Sequence, residues 1–235
     1  MTVAVGDAGR VLAQRTVVDA RRQGELLAVG IGEVLAEAGV TNSDLDAVAA
    51  GAGPGPYTGL RVGLVTARVL GSALGIAAYG FCTLDIIAAE AAKAAGREFL
   101  VATDARRKEL YWARYSAQGV RLSGPEVSPP PALPAGLPVA GEGAHAYPEL
   151  LGEPIAPRYP SAATAAAWCA ARLAAGEPLG PPDPLYLRRP DARVPGAPKS
   201  VLAAPASSAR AKPPAGQAQG PQASGSPPWA DAVLP

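Results

Sequence analysis

The segment Gly51-Ala52-Gly53-Pro54-Gly55-Pro56-Tyr57-Thr58-Gly59-Leu60-Arg61 restricts the fold more than any other stretch. It leaves a short apolar run at 45–50 and enters a long helical pattern that stops near Gly75. Its glycines reach backbone angles closed to other residues, and its prolines stiffen the loop between them. A strand-to-helix turn of this kind belongs to an α/β chain, in which strands feed crossover helices. The helix start also offers unpaired N–H groups and the positive end of a dipole, with Arg61 one turn in. Gly53, Pro54, Gly55, Thr58, Gly59 and Arg61 therefore form a candidate anion or nucleotide loop. No Gly-Lys-Ser/Thr follows, so it is not a Walker A loop. The competing reading is a tight turn that simply packs well, and the residues alone leave both open.

Strand and helix patterns alternate along the rest of the body. Residues 3–5 and 11–18 read as two strands joined by the turn Gly6-Asp7-Ala8-Gly9. A helix is predicted over 24–38, with Gly39 ending it. Thr58 is expected to cap the helix to Gly75, and Thr83 a helix over 84–95 that Gly96 ends. Strands are predicted at 76–81, 99–103 and 109–115, with Asp104-Ala105-Arg106-Arg107 as a turn between the last two. Asp104 and Glu109 are expected to be solvated there or to pair with Arg106 and Arg107. Residues 125–138 read as a Pro-rich loop, 139–141 as a short strand, and Ser161 as the cap of an Ala-rich helix to 175. An extended segment at 184–190 closes the body. Three parts are expected: 1–96, 97–192, and a tail over 193–235 rich in Pro, Ala, Gly and Ser. The tail shows no hydrophobic period and is expected to be disordered. It sets Arg193, Lys199, Arg210 and Lys212 against Asp231.

Aromatic residues are only 5% of the chain, so the core must be built mainly of Ala, Val and Leu. Small residues recur every fourth position at Gly24, Ala28 and Gly32, and again at Gly63, Ala67 and Gly71. Each glycine inside a helix costs about 1 kcal/mol against alanine, so such stripes need a reason. Close approach of another helix is one, and packing on the chain's own sheet is the other. The net charge of +1 gives no broad basic field for nucleic acid. Cys82 and Cys169 stand in no metal or disulfide pattern, which fits a reducing compartment. Met1 leads straight into Thr2-Val3-Ala4-Val5, and Arg61 and Arg68 interrupt the most apolar stretch. A cytoplasmic protein with no membrane association is expected. His145 is the single histidine, so any mechanism that needs two is excluded, and no catalytic constellation is visible.

The stretches GAGPGPYTGLRVGLVTARVLG, YGFCTLD, VATDARRKELYWARY and PLYLRRPDA together resemble the TsaB family. That family is the dimerisation subunit of the bacterial machinery that makes threonylcarbamoyladenosine in tRNA. The resemblance covers residues 3–192 in order. It implies an α/β fold of the actin-like ASKHA (ribonuclease H-like) class with two similar domains, and a function without chemistry of its own. TsaB resembles a degenerate relative of the catalytic subunit TsaD, which carries a His-x-x-x-His metal pair. A single histidine cannot supply that pair, nor the metallopeptidase activity of the M22-like superfamily label. The resemblance implies a TsaD heterodimer joined by the ATPase TsaE, with tRNA engaged indirectly and homodimers when TsaD is absent. In the family the first two helices form the partner interface, which points to Gly24, Ala28, Gly32, Gly63, Ala67 and Gly71. No cofactor is implied, although weak nucleotide binding at a partner interface stays open. The alternative is a nucleotide-binding ATPase or kinase-like enzyme of the same fold.

Three departures stand out. The family opens with a strand and an Asp-Thr phosphate loop, whereas this sequence begins at what should be the second strand. The expectation is an upstream start or a lost first strand. The family often places a histidine before the Glu-Leu-Leu of its first helix, and here Gln23-Gly24 precede Glu25-Leu26-Leu27. The tail beyond Ala192 has no counterpart in the family.

Overall fold

The computed structural model describes residues 1–17 and 23–188, and they fall within one compact unit. The expected tail at 193–235 lies outside the described residues. Strand β1 (Thr2–Asp7) pairs antiparallel with β2 (Arg10–Thr16), and helix α1 (Gln23–Ala38) packs on both. Strand β3 (Ala47–Gly53) pairs in parallel with β4 (Ala77–Cys82) through the crossover helix α2 (Tyr57–Leu74). These are two separate two-stranded sheets. Helix α3 (Thr83–Ala95) then leads to a five-stranded sheet. Its strands are β5 (Phe99–Asp104), β6 (Leu110–Tyr115), β7 (Arg121–Ser128), β8 (Val139–Ala140) and β9 (Pro154–Ile155), in the order β7-β6-β5-β8-β9. Short helix α4 (Glu142–Ala146) follows β8, and α5 (Ala162–Ala174) closes the helical set.

Helix α3 sits at the centre. Leu84, Ile86, Ile87, Ala88 and Ala91 are each 0–1% exposed. Leu84, Ile87, Ala88 and Ala91 pack on Phe99, Val101, Ala113, Tyr115 and Ala140 of the large sheet. Phe99 and Tyr115 stack at 5.7 Å between ring centroids. The Tyr115 hydroxyl donates to Asp85 Oδ1 at 2.8 Å, and Arg121 lies 3.6 Å from the same oxygen. Burial beside that carboxylate pushes the phenol's pKa well above its ordinary value. On another side Thr164 of α5 donates to Glu90 Oε2 at 2.9 Å. Helix α5 in turn holds β1 and β2: the N–H of Ala162 donates to Thr2 Oγ1, and that of Ala163 to Gln14 Oε1, both at 3.2 Å. Much of the buried surface is alanine, as the scarcity of aromatics required.

Most expected elements are present within a few residues, and the glycine stops hold: Gly39, Gly75 and Gly96 all have φ between 63° and 68°. The caps differ. Helix α2 has Pro56 at its N-cap and α3 has Cys82, so Thr58 and Thr83 lie inside their helices. Ser161 does cap α5, accepting from the N–H of Thr164 at 3.4 Å. The loop expected at 125–138 hides the second half of β7. Proline is tolerated there because β7 is an edge strand, and Gly124 at φ 86° makes the bend beside a break in the β6–β7 register.

Gly141, after β8, combines φ 96° with a position where a Cβ would lie 2.3 Å from the carbonyl oxygen of Ala102. Gly141→Ala should therefore destabilise the chain by about 2–4 kcal/mol in urea unfolding, since strain and a backbone clash add.

Candidate functional site

Two surfaces carry the expected site residues. The first is the outer face of α1 and α2, which touch one another. On α1 the inner contacts come from Gly30, packed against Met1 and Val3, and from Val34, which is 2% exposed. That leaves Gly24, Ala28 and Gly32 exposed, and neither glycine has a neighbouring atom within 4 Å of a built Cβ. Val29 beside them is 57% exposed. On α2 the inner stripe is Leu60, Leu64, Ala67 and Gly71. Ala67 and Gly71 thus face the chain's own core. A Cβ on Gly71 would meet Ala78 Cβ and the Ile76 oxygen, each at 3.0 Å. For these two residues the small side chain serves the helix-to-sheet approach, which corrects the partner-binding role that the resemblance implies for them. Gly63 is half-buried with open space at its Cβ. The outward apolar residues of α2 are Val65 and Val69, at 58% and 60% exposure. Their exposure is the signal that spacing of small residues alone does not reveal.

The second surface is the glycine loop. Gly53 has φ 106° and is followed by a cis bond to Pro54. A strap formed by residues 180–188 runs across this loop. It starts with the N–H of Gly80 donating to Gly180 O at 2.8 Å, and Pro181 O lies 2.4 Å from where a Cβ on Gly80 would be. The N–H of Leu185 donates to Ala52 O at 2.7 Å, and Leu185 O lies 3.3 Å from the Cβ position of Gly53. Tyr186 stacks on Tyr57 at 4.7 Å. Arg61 lies 4.0 Å over the Tyr57 ring, donates through Nε to Tyr186 Oη at 2.9 Å and also donates to Tyr57 Oη. Arg68 pairs with Asp183, and Arg188 with Glu109. The Leu185 backbone and the Leu60 side chain lie against Gly53, Gly55 has open space at its Cβ position, and Arg61 is engaged with two tyrosines. Gly55 and Gly59 are half-buried, and Thr58 is exposed at the helix start.

A shallow cleft of about 400 Å³ lies beside the strap, lined by Cys82, Leu185 and residues 121–125. Burial, reinforced by Asp85, pushes the Cys82 thiol up to about 11, so it is protonated and a poor nucleophile at neutral pH. His145 lies exposed on α4. Among the described residues no group of three His, Cys, Asp or Glu side chains is placed to hold a metal ion. No helix there is long and apolar enough to cross a membrane.

The strap's hold on the loop is measurable. Tyr186→Ala removes a stacked pair and a hydrogen bond and should cost about 1–3 kcal/mol in urea unfolding. Tyr186→Phe keeps the stack and should cost about 1 kcal/mol or less.

Comparison with known proteins agrees with this architecture. Residues 14–142 match the family model described as TsaD: tRNA N6-adenosine threonylcarbamoyltransferase. An uncharacterized protein of Mycobacterium tuberculosis is 44% identical over 183 residues, covering 78% of this chain and 83% of that protein. The tRNA threonylcarbamoyladenosine biosynthesis protein TsaB of Escherichia coli is 37% identical over 84 residues, 35% of this chain and 36% of that protein. Among solved structures, YeaZ from Pseudomonas aeruginosa superposes with a TM-score of 0.65 at 29% identity, covering 79% of this chain and 93% of that one. A second, described as an uncharacterized protein with similarity to peptidase YeaZ from the same organism, gives 0.70 at 29% identity, covering 80% and 94%. With its actin-like ASKHA fold, its TsaB and YeaZ likenesses and more than half its length within the family match, the chain belongs to the TsaD-type family of tRNA N6-adenosine threonylcarbamoyltransferase proteins.

Proposed function

We propose that this chain is a non-catalytic scaffold subunit that docks on TsaD through the outer face of α1 and α2 and so supports threonylcarbamoyladenosine formation in tRNA. The observation that carries the reading is that face. Val29 on α1 and Val65 and Val69 on α2 are each more than half exposed, and α1 also carries open glycines. Three aliphatic side chains held in water on neighbouring helices are the pattern of an interaction surface rather than of a finished monomer surface. Glycines without neighbours let a partner's helix come close, which offsets their cost within the helix. The proposed contact set is Gly24, Ala28, Val29, Gly32, Gly63, Val65 and Val69. In the absence of TsaD the same face serves a second copy of this chain, and TsaE joins the TsaD complex. A cytoplasmic site of action follows from the tRNA substrate.

The competing reading, a nucleotide-using enzyme, needs an open glycine loop. Leu185 packs against Gly53, and Arg61 is committed to Tyr57 and Tyr186, which disfavours it. Co-expression with the same organism's TsaD, then size-exclusion chromatography and a tRNA modification assay with TsaC, TsaE and ATP, tests the scaffold reading. Absence of both a complex and modification would sink it.

Two variants probe the face itself. Val65→Asp with Val69→Asp should leave unfolding free energy within about 0.5 kcal/mol, because both side chains already face water. The same pair should weaken the TsaD complex at least tenfold, about 1.4 kcal/mol, on titration. Gly32→Ala should stabilise the free chain by about 0.5–1 kcal/mol through helix propensity. If a partner backbone passes over Gly32, that variant should bind TsaD more weakly despite its higher melting temperature.

A further inference from the structure

The exposed side of α2 and the strap over the glycine loop share a border. At about 3.6 residues per turn, Arg61, Val65, Arg68, Val69 and Ser72 fall within an arc of about 100° on α2. All of them are exposed, and the buried stripe of the same helix lies outside that arc. Val65 stands one turn after Arg61 and one turn before Arg68, so the two cationic side chains flank it. These same two residues hold the strap. Arg61 donates through Nε to Tyr186 Oη at 2.9 Å, and Arg68 pairs with Asp183. The strap's backbone is fixed in turn by the N–H of Leu185 on Ala52 O at 2.7 Å and by that of Gly80 on Gly180 O at 2.8 Å. A body that covers Val65 and Val69 therefore meets a firm rim made of α2 and the strap together.

The chemistry of that rim suits a protein partner. Tyr57 and Tyr186 are both exposed and stack at 4.7 Å, and Arg61 lies 4.0 Å over the Tyr57 ring. Tyrosine and arginine are side chains in which interface energy concentrates. Here they are ordered in advance, so less rotamer freedom is lost when a partner closes over them. The hydrogen-bond partners of Arg61 are two neutral phenols, Tyr57 and Tyr186. Its charge has no carboxylate against it among the described residues, and an Asp or Glu of a partner complements it. Arg68 and Asp183 are more than half exposed, where an ion pair adds little to folding. They reach the rim with their charges already matched, so a partner covers the two together at lower cost than either alone.

We infer that the surface that docks on TsaD runs past Val65 and Val69 onto the strap. Tyr57, Arg61 and Tyr186 form an aromatic and cationic anchor for a carboxylate of TsaD, and Arg68 with Asp183 lies covered beside them. The inference rests on the docking proposed above and extends it to an element outside α1 and α2.

The test uses the full chain with the same organism's TsaD. Affinity is read by calorimetric titration, and hydrogen exchange over residues 180–188 by mass spectrometry with and without TsaD. Exchange there should slow at least about fivefold in the complex. Arg61→Met keeps the apolar stem without the cation and should weaken binding about tenfold. Asp183→Ala should weaken it about fivefold by leaving Arg68 covered without its carboxylate. Adding Arg68→Met to Asp183→Ala should regain most of that loss, which a strap that merely supports α2 would not produce. The free variants should melt within about 3 °C of the parent chain, since only exposed contacts are lost. Unchanged affinity in Arg61→Met and Asp183→Ala, with exchange at 180–188 indifferent to TsaD, overturns the inference. If Val65→Asp with Val69→Asp still breaks the complex in that case, the docking proposal stands without the strap. A loss in Asp183→Ala that Arg68→Met does not relieve, with no slowing of exchange, overturns the inference as well. Absence of any complex with the parent chain sinks the docking proposal itself, and the strap contact falls with it.

Discussion

The structure depends on the burial of helix α3. No residue from Leu84 to Ala92 is exposed. One side packs on the five-stranded sheet, another meets α5, and the helix also touches β3 and β4. A helix enclosed in this way must be small and apolar for most of its length, and the run Ile86-Ile87-Ala88-Ala89 is both. The alanines keep the helices and sheet close, so a core poor in aromatics still closes. The two carboxylates that α3 carries are partnered: Asp85 by Tyr115, Glu90 by Thr164. Loss of this packing would free the large sheet from the helices that carry β1 and β2.

From that centre the strap does the second organising job. Residues 180–188 follow α5, add a bridge to β4, pack against Ala52 and Gly53 of the glycine loop and end in the ion pair of Arg188 with Glu109. The same segment that lies against the glycine loop also reaches the hairpin tip. The glycines at 51, 53 and 80 admit a side chain or a polypeptide backbone at close range. The described surface presents the outer sides of α1 and α2 and the cationic turn between β5 and β6.

The legible part of the fold was its punctuation. Gly39, Gly75 and Gly96 end helices because a left-handed C-terminal residue is cheap only for glycine, and that preference is local. Strand β7 was not legible, because Gly124 and Pro125 read as loop unless the strand is known to lie at an edge. Thr58 and Thr83 had the right chemistry for caps, yet α2 begins at Tyr57 straight after Pro56, and β4 runs into α3 at Cys82, so Pro56 and Cys82 took the positions. The stripe Gly63, Ala67, Gly71 could not be assigned to a face by spacing, since helix periodicity gives relative angles and no absolute orientation. The sheet supplied the orientation and turned Ala67 and Gly71 inward.

By itself the sequence determined the α/β class, the strand-to-helix loop, the helix stops, the single histidine and the family resemblance. These follow from residue chemistry within a few positions or from the count of a residue type. Only the tertiary structure decided that Leu185 occupies the loop beneath Gly53, that Val65 and Val69 stay in water, and that Arg188 reaches Glu109. Each of these joins residues far apart along the chain, or depends on which side of a helix meets the sheet. Contacts of that range form only when the whole core closes, so no local pattern can encode them legibly.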